Sequence, residues 1–188
     1  MTMTPGDVLT FWFEEAGPDK WFEKSDDFDA EIADWFSALT HAARDGKLVT
    51  WLETPRGCLA LIILIDQFSR NIHRDSPLAW SADAHALALT RLALDKQFDE
   101  QLELNARKFL YMPLMHSEDL KDQKLCVEVF GKLVEAGAEG GETNLDYAVR
   151  HRAIIARFGR FPHRNAILGR ESTQEETDWL ATDEAFKG

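Results

Sequence analysis

The chain has 188 residues, a formal net charge of −12, and 45% hydrophobic against 29% charged residues. That composition excludes intrinsic disorder and suits a single domain spanning residues 1–188, because a chain of this length buries roughly 70% of its unfolded surface. The acidic total disfavours nucleic acid as a partner, and no apolar run approaches the roughly 20 residues of a membrane span.

Taken in chain order, the signals are helical. The segment Met1–Asp7 has neither a basic stretch nor an apolar leader region, so a cytoplasmic location is expected. Thr4-Pro5, Thr54-Pro55 and Ser76-Pro77 each place a capping hydroxyl before a proline, the arrangement that opens a first helical turn. From Asp26 to Asp45, Phe28, Ile32, Trp35, Phe36 and Leu39 recur on one helical face, and Gly46 closes it. Cys58–Ile65 is apolar on all sides, which marks a central helix enclosed by others. Helices are expected over Ser81–Gln97, Leu102–Tyr111, Glu118–Ala136 and Asn144–Phe158, the last two ending at Gly137 and Gly159. Thr173-Gln174-Glu175-Glu176 is a capping box. About eight helices with short connections imply an all-α fold of antiparallel neighbours. Gly17–Ser25, Arg74–Leu78 and Gly137–Thr143 are weak in helix signal, and none has the composition of a linker between domains. The two cysteines, Cys58 and Cys126, sit in apolar helical patterns and read as reduced core thiols.

Polar residues interrupt three of the apolar stripes. The inward row of the central helix runs through Ile62 and Ile63 to Asp66 and then Arg70, with Gln67/Asn71 and Arg70/Arg74 at the same four-residue spacing. The row Phe130, Val127, Gln123, Asp119 turns polar at the start of its helix, where Ser117 is placed to cap. In the row Tyr147, His151, Ile154, Phe158, His151 sits among apolar neighbours.

From Tyr147 to Arg170 there is no acidic residue, yet Arg150, Arg152, Arg157, Arg160, Arg164 and Arg170 all lie there with His151 and His163. Their counter-charges must come from elsewhere in the chain or from an anionic ligand. Antiparallel packing of the central helix against the one from Glu118 would bring their polar ends together under the Arg157–Arg164 loop. The ligand-binding candidates are therefore Asp66, Arg70, Asn71, His73, Arg74, Asp119, His151, Arg160, His163 and Arg164. His116 and Glu118 are the candidate proton-transfer groups for a catalytic role.

The sequence words Asp66-Gln67-Phe68-Ser69-Arg70-Asn71, Phe109-Leu110-Tyr111-Met112-Pro113, His116-Ser117-Glu118-Asp119 and Arg157-Phe158-Gly159-Arg160-Phe161-Pro162-His163-Arg164-Asn165 carry a resemblance. Together with Leu9–Phe13 and Leu168–Glu176, they resemble a family of bacterial and fungal proteins known as domain of unknown function 924, over almost the whole chain. The family is similar in fold to tetratricopeptide-like proteins, which implies an antiparallel helical array (an α/α superhelix) here. It implies no particular reaction, and no 34-residue repeat stands out in this sequence.

The reading that follows is an arginine-lined cleft for a small anionic metabolite, a carboxylate or a phosphate, with hydrolysis as one chemistry it could serve. The rival is a tetratricopeptide-like scaffold that binds a protein partner and uses its Arg, Asp and Glu residues purely for structure. Phe11, Trp12, Phe13, Trp21, Phe22, Trp35 and Phe36 read mostly as core, and their exposure would favour the scaffold. No cofactor loop, nucleophile elbow or His-Glu-x-x-His spacing occurs, and the arginines would repel a metal cation. Enzymatic activity and oligomeric state are both left open by the sequence.

Overall fold

The computed structural model describes residues 3–183 and Ala185; Met1 and Thr2, part of the segment read for a leader, lie outside the described residues. All regular secondary structure of the described residues is helical, with no strand, and none of their helices is long and apolar enough to cross a membrane. They form two compact units: one comprises the chain up to Arg74 plus Leu78–Pro113, the other Asp75–Pro77 plus the chain from Leu114 onward.

In the first unit, α1 (Pro5–Thr10) starts with a reciprocal capping box between Thr4 and Asp7 and runs on as a wider π turn over Phe11–Ala16. After the short α2 (Pro18–Trp21), α3 (Asp26–Arg44) is capped by Ser25 and buries Phe28, Ile32, Phe36 and Ala43. Trp35, expected on the same face, is 55% exposed at the margin of the stripe.

Helix α4 (Pro55–Ile62) is capped by Thr54, continues through a π turn over Ile63–Phe68, and ends as α5 (Ser69–Ile72). Every residue from Gly57 to Ser69 is buried, which makes this the enclosed central helix. Gly57 permits its approach to the preceding turn, since a Cβ there would lie 2.1 Å from the Trp51 carbonyl oxygen. Phe68 packs on Phe36 at 4.8 Å and on Trp12 at 5.5 Å between ring centroids, and Trp12 meets Phe109 at 5.4 Å. Such offset and edge contacts stabilise beyond the area they bury. Ser76-Pro77 opens only a single 3-10 turn (Pro77–Ala79), and the next helix, α6 (Asp83–Asp95), begins after it.

Helix α7 (Arg107–His116) starts later than expected and continues through Pro113, with the unit boundary falling between Pro113 and Leu114. In the second unit, α8 (Leu120–Glu135) is capped by Asp119, whose carboxylate accepts the Lys121 N–H at 2.7 Å. Ser117 is not the cap: its hydroxyl accepts the Asp119 N–H and donates to Asp122 at 2.7 Å. Gln123, buried as the row predicted, donates its amide to the carbonyls of Leu114, Met115 and Ser117, groups at the end of α7 that lack helical partners.

Helix α9 (Gly141–Phe158) begins three residues before the expected start and ends at Gly159 with φ 69°. Its first residue packs against α8, where a Cβ on Gly141 would stand 3.4 Å from the Val134 backbone. A 3-10 turn (Pro162–Arg164) and α10 (Gln174–Leu180), the latter opened by the Thr173/Glu176 capping box, complete the unit. Ile154, Ile155, Phe161, Trp179 and Ala185 form its apolar cluster, with Phe158 and Leu180 packed against them. Both cysteines are buried and unbridged, and burial pushes their thiols up, to about 11 for Cys58 and about 12 for Cys126.

Candidate functional site

The expected site residues divide between the units. Asp66, Arg70, Asn71, His73 and Arg74 belong to the first, and His116, Glu118, Asp119, His151, Arg160, His163 and Arg164 to the second.

In the first unit, the inward charged row is real and internally matched. Asp66 is fully buried, and Arg70 Nη1 bonds its carbonyl oxygen at 2.7 Å and lies 3.3 Å from its carboxylate. Arg70 Nη2 bonds both carboxylate oxygens of Asp83, at 3.1 and 3.2 Å. Asp29 accepts from Asn71 Nδ2 at 2.8 Å and from Arg74 through both Nε and Nη2. Burial opposes ionisation of Asp29, but the Arg74 and Asn71 bonds outweigh it and hold the carboxyl below its usual range. Asp29 and Asp83 were not identified from the sequence, since both lie in acidic first turns that read as ordinary helix starts. His73 stacks on His41 with centroids 5.8 Å apart; burial, then Arg44 and His41, pushes its imidazole below the ordinary value.

In the second unit, three arginines of the acid-free stretch are met by carboxylates from elsewhere. Arg157 Nε bonds Glu175 at 2.9 Å on the surface. Arg160 engages Glu176 through Nε at 2.7 Å and Nη2 at 2.8 Å, which commits it to holding α10. Glu176 is 2% exposed, also accepts the Thr173 N–H at 2.8 Å, and is held down to about 2, chiefly by Arg160. Arg170 grips Glu118 with two bonds, at 2.8 and 3.0 Å, and the Phe161 N–H donates to the same carboxylate at 2.8 Å. Burial works against the charge on Glu118, yet these donors keep its carboxyl low. With three donors on two oxygens and a lowered pKa, Glu118 is a poor proton acceptor. Asp119 is exposed and spent on the helix cap, so the polar row ends in solvent at that position and Asp122 is the buried acid instead.

The remaining groups gather around the fully buried ring of Phe161. Arg164, 7% exposed, sets its guanidinium 4.5 Å from that ring's centroid and donates from Nη1 to the His116 carbonyl at 3.2 Å. The rings of His151 and His163 lie 5.5 and 5.4 Å from the same centroid. A carbonyl can only accept, so the 2.8 Å contact between His151 Nδ1 and the Tyr147 oxygen places a proton on Nδ1. Burial first, and then the charges of His116, Arg164 and His163, push His151 down to about 3; the Tyr147 bond opposes this and loses. His163 falls to about 4 through burial and Arg164, with Glu118 pulling the other way. Both imidazoles are therefore neutral at pH 7 beside a permanent cation. No set of three or more His, Cys, Asp or Glu residues among the described residues is arranged to hold a metal ion.

Residues 8–184 match the model of a family described as a bacterial protein of unknown function, DUF924. The chain belongs to that family. In fold, this DUF924 member is similar to a protein of unknown function from Agrobacterium tumefaciens, ATU0120, at 38% identity and a TM-score of 0.87. The likeness covers 94% of this chain and 96% of that one. No curated protein sequence matches it.

Proposed function

We propose that the second unit binds a small anionic metabolite, a carboxylate or a phosphate, at the cluster around Phe161. The observation that supports this is the gathering of His151, His163 and Arg164 on one buried ring, beside the Glu118 carboxylate that takes the Phe161 N–H and is gripped by Arg170. A neutral imidazole held beside a guanidinium is poised to take up a proton when negative charge arrives, because an anion favours the charged form and so works against the burial and the neighbouring cation that keep it neutral. Arginine and imidazole together suit the planar or tetrahedral oxygens of such ligands. Any hydrolysis there would rest on an imidazole such as His116, since Glu118 already takes three donors and its carboxyl is held low.

The test is a thermal-shift screen of anionic metabolites and divalent metals. A ligand at a hundred times its Kd adds about 2.7 kcal/mol, which for a chain of this length raises Tm by roughly 5–10 °C. Arg164→Gln should abolish that shift for the anions that give it. A second reading, the protein-binding scaffold, draws on Phe22 and Trp35, which are 64% and 55% exposed in the first unit, and on the structural pairing of Arg157, Arg160 and Arg170. A screen in which no anion stabilises the protein would sink the metabolite reading and leave the scaffold in its place.

A further inference from the structure

Arg150 and Arg157 belong to the acid-free stretch but not to the Phe161 cluster. They lie on one face of α9 at i and i+7, roughly 10 Å apart along the axis, with Ala153 and Ile154 between them. At about 100° of helix rotation per residue, His151 is turned roughly 100–120° from Arg150 and Arg157. Arg150, Ala153, Ile154, Arg157, Phe158 and Trp179 line a groove of about 260 Å³. Its floor is apolar: Ile154 and Trp179 are 7% and 6% exposed, and the rings of Phe158 and Trp179 meet at 5.3 Å.

The cationic end is preorganised. Arg157 lies 4.7 Å from the Phe158 ring centroid and bonds Glu175 through Nε only, so its pair of Nη groups stays directed along the guanidinium's other edge. Arg150 flanks the far end, 5.7 Å from the Tyr147 ring. A guanidinium fixed on an aromatic face keeps its fork geometry for a planar acceptor, with less entropy left to lose.

We propose that this groove binds a small amphipathic carboxylic acid, with its apolar body over Ile154, Phe158 and Trp179 and its carboxylate across the Nη edge of Arg157. Charge complementarity sets the sign of the ligand, and the volume sets its size. At about 260 Å³ the space lies just under the usual 300–1,000 Å³ of small-molecule pockets, which suits a compact free acid rather than a polypeptide. The groove shares the apolar cluster of Ile154, Phe158 and Trp179 with Phe161 but takes its cation from Arg157 and not Arg164, and it does not depend on the reading given to the Phe161 site.

The test uses the full chain, isotope-labelled, with hydrocinnamate as the probe and hydrocinnamide as its uncharged counterpart. Hydrocinnamate is expected to shift the Trp179 indole N–H and Arg157 Nε–H resonances saturably, with the amide about tenfold weaker. Arg157→Gln should weaken hydrocinnamate by a similar factor while leaving Tm within a degree or two, because its ion pair with Glu175 is exposed. Arg164→Gln should change nothing at these signals. Equal binding of acid and amide, absence of a saturable shift, or a shift abolished by Arg164→Gln but not by Arg157→Gln would each overturn the proposal.

Discussion

Glu176→Gln tests whether the Arg160 pairing is structural. The carboxylate is 2% exposed and accepts from Arg160 Nε and Nη2, from the Thr173 N–H, and from Asn165 Nδ2 at 3.3 Å. The amide keeps the shape but removes the charge and turns one acceptor into a donor facing donors. A buried hydrogen bond to a charged group contributes about 1.5–3 kcal/mol, and because Arg160 is 30% exposed, solvent screening brings the expected loss to about 2 kcal/mol. Tm should fall by roughly 4–8 °C. The pH dependence carries its own sign. The Glu176 carboxyl is lowered from 4.5 to about 2 on folding, so its contribution is complete above pH 4.5 and fades as pH falls from there toward 2. Urea unfolding of the wild type and Glu176→Gln at neutral pH and again near the bottom of that window gives both numbers. A difference below about 0.5 kcal/mol at neutral pH, or one that does not shrink with acid, would refute the account of this network.

Three further outcomes are expected. His151 is lowered from 6.5 to about 3, so the folded state loses stability as pH drops through 6.5 toward 3, and His151→Gln should flatten that loss by about 2–3 kcal/mol at pH 4.5 in urea titrations. Gly57→Ala drives a Cβ into the Trp51 carbonyl and should cost about 3 kcal/mol or more, whereas Gly131→Ala, with open space in α8, should stabilise by up to about 1 kcal/mol; melting curves compare the two. Cys58 and Cys126 should resist a thiol reagent in the native protein and react only on unfolding, as stopped-flow labelling can follow.

Helix starts were legible at Thr4, Thr54 and Thr173, where the side chain caps the backbone locally; at α8 the cap is Asp119 and not the expected Ser117. Ser76 sits before a proline in the same way, yet only one 3-10 turn follows, because such a signal starts a turn without sustaining a helix. Pro113 lies inside α7, although proline usually marks a helix boundary. In the candidate site, the deficit of acids between Tyr147 and Arg170 called for partners from elsewhere in the chain or for an anionic ligand, and Arg157, Arg160 and Arg170 meet carboxylates of the chain. Their identities, Glu118, Glu175 and Glu176, depend on tertiary packing that no local spacing encodes. Asp119 was misplaced because a helical row extrapolated into the cap position leaves the helix, and its side chain there bonds backwards to the chain instead of inward. The gathering of His151, His163 and Arg164 on Phe161 was only partly visible, since the ring that organises them looked like one more core residue.

Two of the carboxylates that answer the arginine stretch, Glu175 and Glu176, stand on the final helix. A protease cut just after Arg170 would detach that counterweight while leaving every arginine in place. The shortened chain would then carry a dense cationic band on an otherwise acidic protein, a surface prone to adventitious capture of polyanions during purification.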